Sequence, residues 1–110
     1  MADEKEILEV FQLQAEVCKS LSDPKRLRII HELRHGEKSV GEIAESLGLK
    51  QSNTSQHLGV LRKAGIVVTR REYSTVYYSL ANPKIGEACD LVREVLLDHI
   101  RKNQLLTAIK

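Results

Sequence analysis

From the seventh residue onward, apolar side chains recur at alternating steps of four and three: Ile7, Phe11, Cys18 and Leu21, with Gln14 as one polar interruption. That spacing lines up one face of a helix. Ser22-Asp23-Pro24 stops this helix and starts the next. Asp23 suits an N-cap, and Pro24 suits the first helical position, where its missing N–H would have no partner anyway. The second helix turns Leu27, Ile30 and Leu33 inward and ends at His35-Gly36. Ser39-Val40-Gly41-Glu42 fits a capping box. It opens a short third helix with Ile43, Ala44 and Leu47 on its apolar face and Gly48 at its end. A fourth helix begins near Gln51 and runs to Ala64, stopped by Gly65. Thr54, Leu58 and Leu61 face inward, which leaves Gln51, Ser52, Ser55 and Gln56 outward.

After Gly65 the texture changes. Ile66-Val67-Val68-Thr69-Arg70-Arg71 and Thr75-Val76-Tyr77-Tyr78-Ser79-Leu80 are rich in β-branched and aromatic residues, as strands prefer. Glu72-Tyr73-Ser74 is short enough for a hairpin turn. Asn82-Pro83 restarts a helix whose seam is Ile85, Cys89, Val92, Leu96 and His99, with fraying expected past Lys102. The fold class is therefore mainly α (α+β), in the order α-α-α-α-β-β-α. Two helices joined by a tight glycine-containing turn and followed by a β-hairpin form a winged helix-turn-helix. Residues 39–64 make the helix-turn-helix and 66–80 the wing, within a single domain spanning 1–110.

Charge adds a location to this outline. Between Lys50 and Arg71 lie Lys50, Arg62, Lys63, Arg70 and Arg71 and no Asp or Glu, in a chain whose net charge is +2. The rest carries twelve basic against fifteen acidic residues, a net −3. Such segregation attracts polyanions although the whole molecule is nearly neutral. The polar run Gln51-Ser52-Asn53-Thr54-Ser55-Gln56-His57 sits in the same stretch, and its side chains suit hydrogen bonding to base edges. Duplex DNA is the matching polyanion. At 110 residues the chain buries a modest share of its surface, so a partner subunit would help it. Two cysteines 71 positions apart make no disulfide framework and point to a reducing cytoplasm. The opening Met1-Ala2-Asp3-Glu4-Lys5-Glu6 is acidic where a signal peptide would be basic then apolar, and no apolar run approaches transmembrane length. Phosphate-loop, Ser-His-Asp and histidine-carboxylate metal motifs are all missing, so an enzyme is not expected.

Leu21-Ser22-Asp23-Pro24-Lys25-Arg26-Leu27-Arg28-Ile29-Ile30 resembles the LxDPxRLxIL signature of the ArsR/SmtB family of bacterial and archaeal repressors. Ser39–Leu47 resembles the first helix of that family's turn. Gln51–Leu58 with Leu61-Arg62-Lys63-Ala64-Gly65 resembles its recognition helix, and Arg70-Arg71-Glu72 with Val76–Leu80 its wing. The likeness covers roughly positions 11 to 100 and is specific as a set. It implies a homodimer joined through the first and last helices, 1–21 and 83–102, that binds operator DNA and lets go on meeting an inducer. Gln51, Ser52, Ser55 and Gln56 would read the major groove, with Lys50, His57, Arg62, Arg70 and Arg71 as further DNA contacts. Set alone, the same polar residues are a solvated helix face, and Arg70 and Arg71 a charge-protected edge strand. Gly59, inside the recognition helix, disfavours it by roughly 1 kcal/mol relative to Ala and points to a close approach to DNA or a neighbouring helix. Arg26 reads first as an ion-pair former between helices, and His57 as a structural or phosphate contact.

The sensor is less determined. One metal site that the resemblance brings up needs a Cys-x-Cys pair where this chain has Ser39 and Gly41. Another needs carboxylate and histidine ligands where it has Asn82, Lys84, Val95 and Asp98, of which only Asp98 could ligate. No metal or other cofactor is therefore expected. His31 and His35, four apart, make an incomplete metal site and read more simply as a favourable helix end. Cysteines of persulfide-sensing relatives would align near His31 and Leu97. The thiols here are Cys18 and Cys89, one on each of the two helical seams that the resemblance brings together. They are either small buried hydrophobes or the target of an oxidant, reactive sulfur or a thiophilic metal. Three readings follow: a dimeric DNA-binding repressor with an effector site at Cys18/Cys89, the same DNA binder with no effector site of its own, and an interaction module that kept the fold but not DNA binding.

Overall fold

Five helices and three short strands succeed one another in a computed structural model that describes residues 3–103. The order is α1 (Glu4–Ser20), α2 (Pro24–Leu33), β1 (Lys38–Ser39), α3 (Val40–Leu47), α4 (Gln51–Lys63), β2 (Val67–Glu72), β3 (Thr75–Leu80) and α5 (Pro83–Asn103). Local chemistry sets the boundaries. Asp23 accepts from the N–H groups of Lys25 and Arg26, with Pro24 in the first turn of α2. Ser39 and Glu42 close a reciprocal capping box on α3. Gly48 and Gly65 take left-handed conformations, with φ of 66° and 79°, just past the ends of α3 and α4. Asn82 accepts from the Lys84 N–H at the start of α5. The fraying expected past Lys102 falls mainly on 104–110, outside the described residues.

Two expectations need correction. The sheet has three strands in the order β1-β3-β2, all antiparallel. Lys38 pairs with Tyr78 and Ser39 with Tyr77, so the order is α-α-β-α-α-β-β-α. A two-residue strand carries no alternation to be read, and Ser39 serves the sheet and the α3 cap at once. The inward face of α2 also differs. Ile29 and Ile30 are both fully buried and Leu33 nearly so, while Leu27 is 43% exposed. Helix α2 packs against α3, α4 and α5, so its buried arc is wide and centred on Ile29–Leu33. Leu27 falls at its rim, in a shallow 220 Å³ recess shared with Arg28, His31, Leu47 and Arg93.

The core joins Ile29, Ile30 and Leu33 of α2 to Ile43 of α3, Leu58 and Leu61 of α4, and Ile66 and Val67. Thr54 is fully buried among them, its hydroxyl donating to the Lys50 carbonyl at 3.0 Å. Helix α5 is fixed to α2 by Arg34, whose Nε donates to Asp90 Oδ2 at 2.9 Å. Arg34 lies so close over Gly86 that a Cβ there would meet its Cδ at 2.2 Å.

Helix α1 is the outlier. It buries none of its residues; only Val17, with Leu21 just after its end, packs on the core. Phe11 and Leu13 are more than 60% exposed, as are Leu91, Val92 and Val95 of α5. The radius of gyration is 16.2 Å, against about 13 Å for a compact chain of 100 residues. A 17-residue helix with an uncovered apolar side is not stable by propensity alone, so α1 needs a surface that the described residues of one chain do not provide.

Candidate nucleic-acid interface

Helix α4 separates cleanly into two sides. Thr54, Leu58 and Leu61 are fully buried, whereas Gln51, Ser52, Ser55, Gln56, Gly59 and Val60 are exposed. The buried side clamps the helix to α2, α3 and β2, so the polar side is presented on a rigid support. Its N-terminus is open: Lys50 is the N-cap residue with extended backbone, φ −67° and ψ 142°, and makes no side-chain cap. The first N–H groups of α4 thus stay available to an anion, as helix N-termini do for phosphate. Gln51 leans back toward α3, where its Oε1 would lie 3.8 Å from a Cβ on Gly41. Gly59 has nothing within 4 Å of the place its Cβ would take. No neighbouring helix among the described residues explains it, and the space lies on the exposed side.

One cation on this side had no signal in the α4 segment. Lys25, in the first turn of α2, donates from Nζ to Asn53 Oδ1 at 3.4 Å. That contact bridges 28 residues and puts an exposed ammonium against the first turn of α4. Arg62, Lys63 and Arg71 are exposed and have no ion-pair partner among the described residues.

His57 and Arg26 form one unit. Arg26 Nε donates to the Ser20 carbonyl at 2.6 Å, and its Nη1 lies 3.3 Å from His57 Nδ1. Arginine has only donors, so Nδ1 accepts and the imidazole proton sits on Nε2. Arg26 was expected to pair with a carboxylate; instead it ties the end of α1 to α4 through a carbonyl and an imidazole. His57 is half-buried, and its Nε2–H is what remains for a phosphate.

The wing departs most from the charge count. Arg70 makes a bidentate pair with Glu37, at 2.6 and 3.2 Å, and a further bond to Glu72 at 2.9 Å. It also lies over the Tyr77 ring at 4.9 Å. The carboxylates raise Arg70 further above its ordinary value, and the Arg70 hydrogen bond holds Glu37 below the usual carboxylate range. Glu37 lies outside the acid-free stretch and folds back onto it. Glu37, Arg70, Arg71 and Glu72 together cancel, so the wing is locally neutral and Arg70 is committed within the chain.

Cys18 of α1 and Cys89 of α5 lie near enough for the charge of one to bear on the other. Cys18 is exposed and Cys89 part-buried against the core. Burial pushes the Cys89 thiol up, Asp90 adds to this and Arg93 opposes it, and Cys18 is near enough to contribute. Beside them Asp90 accepts from Arg93 at 2.6 Å and from Arg34, bonds that hold its carboxyl below the ordinary range. His31 and His35 pack edge to face at 5.8 Å, and His31 Nδ1 is 3.9 Å from Asp90. Among the described residues no three His, Cys, Asp or Glu side chains cluster as metal ligands would. No described helix is long and apolar enough to cross a membrane.

Known proteins are similar to this chain in sequence and fold. The family model described as bacterial regulatory protein, arsR family, matches residues 23–69. The transcriptional regulator Rv0081 of Mycobacterium tuberculosis is 46% identical over 88 residues, 79% of this chain and 77% of that protein. The crystal structure of the repressor BigR from Xylella fastidiosa superposes with a TM-score of 0.73 at 34% identity, over 86% of this chain and 96% of that one. The solution structure of Mb0332 from Mycobacterium bovis, a homodimeric winged helix-turn-helix DNA-binding domain, gives a TM-score of 0.78 at 31% identity and 94% coverage of each chain. With the matched segment running from the Asp23 cap through both helices of the turn into β2, the chain belongs to the ArsR family of bacterial regulatory proteins.

Proposed function

We propose that this protein is a sequence-specific DNA-binding transcriptional repressor that works as a homodimer and is released from its operator by an effector. The observation that carries this reading is the exposed side of α4. Gln51, Ser52, Ser55 and Gln56 stand on a helix fixed by its buried side, ringed by Lys25, Lys50 and Arg62. Glutamine can pair bidentately with adenine, serine is less selective, and the cations set position on the phosphates. The uncovered apolar sides of α1 and α5 support the dimer, whose two α4 helices would enter successive major grooves roughly 34 Å apart. The effector site we assign is the Cys18–Cys89 pair, and the effector is thiol-reactive. Cys18 is the exposed member, and burial keeps Cys89 protonated, so Cys18 reacts first.

The test is fluorescence anisotropy on a duplex selected by the wild-type protein from a random-sequence pool, titrated with salt. Lys25, Lys50, Arg62 and Arg71 of each subunit, roughly eight cations per dimer meeting phosphates, would give a slope of log K against log salt of about −7. Gln51→Ala/Gln56→Ala should lose preference for the selected duplex and keep the slope. Polysulfide or peroxide should release wild type but not Cys18→Ser/Cys89→Ser. A wild-type protein that ignores duplex DNA at low salt would sink the DNA-binding reading. Equal release of both proteins would sink only the thiol assignment.

A further inference from the structure

The wing tip holds a residue that its own backbone does not favour. β2 and β3 are joined by a two-residue turn, Tyr73-Ser74, closed by the Glu72–Thr75 pair. Tyr73 has φ 57°, the only left-handed non-glycine residue among those described. A tight hairpin demands φ > 0 in its turn, and glycine or asparagine meets that demand with least strain. A bulky aromatic there is an outlier, and such strain persists where the side chain has a use. The ring does nothing for the fold: Tyr73 is 94% exposed, the most exposed large hydrophobic residue described, and makes no hydrogen bond or ring contact among the described residues.

Charge narrows the use. Arg70 is committed to Glu37 and Glu72, so the wing cannot grip phosphate strongly through it. What the tip offers beyond Arg71 is an uncharged, flat, amphipathic ring held away from the body of the domain. The turn lies at the tip of the hairpin that follows α4 through Gly65, and the first strand of that hairpin packs against α4. A narrow minor groove lined by sugars and A·T edges accepts such a group, whereas the guanine amino group of a G·C pair obstructs it.

We propose that Tyr73 is a specificity-determining DNA contact, its ring entering the minor groove that flanks each half-site and favouring A·T pairs there. This rests on the DNA-binding reading above. The contact is independent of charge, so it adds discrimination without adding to the salt dependence.

Tyr73→Gly, Tyr73→Phe and wild type are titrated against the selected duplex, once with A·T and once with G·C pairs in its flanks. Melting temperature and dimer mass are recorded for each protein. Tyr73→Gly relieves the left-handed strain, so its melting temperature should hold or rise. Its affinity for the A·T-flanked duplex should fall about tenfold, because a dimer carries two wings. The salt slope should not change, and the preference for A·T flanks should disappear. Tyr73→Phe keeps the ring and most of the preference. A Tyr73→Gly protein with wild-type affinity for both duplexes overturns the proposal, as does a loss matched by a lower melting temperature or a dissociated dimer. In both cases wild-type binding to the selected duplex stands. Failure of wild type itself to bind removes the proposal together with the DNA-binding reading.

Discussion

Replacing Gly86 with alanine should reverse its effect when Arg34 is removed. Taken alone, glycine to alanine within a helix stabilises by about 1 kcal/mol. Here the new methyl would lie 2.2 Å from Arg34 Cδ, 2.9 Å from its Nε and 3.0 Å from Leu80 Cδ1. Arg34 cannot swing aside freely, because its Nε holds Asp90 at 2.9 Å and its Nη1 reaches the Pro83 carbonyl at 3.4 Å. Overpacking costs about 1–3 kcal/mol, and loosening a part-exposed ion pair costs up to about 1 kcal/mol. The net for Gly86→Ala in wild type is a loss of about 1–2 kcal/mol. In an Arg34→Ala background the obstruction is gone and only the Leu80 contact remains, so the same change should be neutral or stabilise by up to about 1 kcal/mol. Urea unfolding of the four proteins at one fixed concentration, with m held constant across them, measures the cycle. Equal effects of Gly86→Ala in both backgrounds would refute the claim that the Arg34 stem is what excludes a side chain.

Two further outcomes follow from single contacts. Lys25→Gln should weaken binding to selected and unrelated duplexes alike, by a few-fold per site, and make the salt slope shallower by about 2 for a dimer; an unchanged slope would place Lys25 off the DNA. Asp90 is held below its ordinary value by Arg93 and Arg34, so its contribution to stability is complete above the unfolded carboxylate pKa of about 4 and lost as pH falls through its lower folded value. Asp90→Asn should therefore flatten the acid limb of the urea midpoint against pH below about 4, with wild-type steepness there as the contrary result.

The readable parts of this chain were those whose signal is local. Thr54, Leu58 and Leu61 fall on one side of a 3.6-residue period, and that period alone places Gln51, Ser52, Ser55 and Gln56 on the other. The capping box at Ser39–Glu42 and the glycines after α3 and α4 are likewise short-range chemistry. What escaped was set by packing or by distance along the chain. Leu27 and Ile29 exchange places because α2 is covered on several sides, which a one-face template does not represent. β1 is too short to alternate. Arg70 counts as a free cation until Glu37, 33 residues away, folds onto it, and Lys25 joins α4 across 28 residues. Tyr73 left one trace, a two-residue turn with neither glycine nor asparagine at its left-handed position.

The contacts around α2 explain how a thiol on the dimer helices could be felt at the DNA face. Cys89 precedes Asp90, and Asp90 holds Arg34 of the loop ending α2. Helix α2 in turn holds α4 from its other end, through Lys25 on Asn53 and Arg26 near His57. Arg26 also fixes the Ser20 carbonyl at the end of α1, close to Cys18. Both thiols are therefore within one or two contacts of groups that grip α2, and α2 grips the first turns of the recognition helix. On the proposed thiol mechanism, a shift of α5 against α2 would reach α4 through these contacts and tilt it. In a dimer the two tilts add to an altered spacing, and a 100-fold loss of operator affinity requires the effector to favour the altered state by only about 2.7 kcal/mol. On the proposed thiol mechanism, α2 is the element through which the effector site would bear on binding and release.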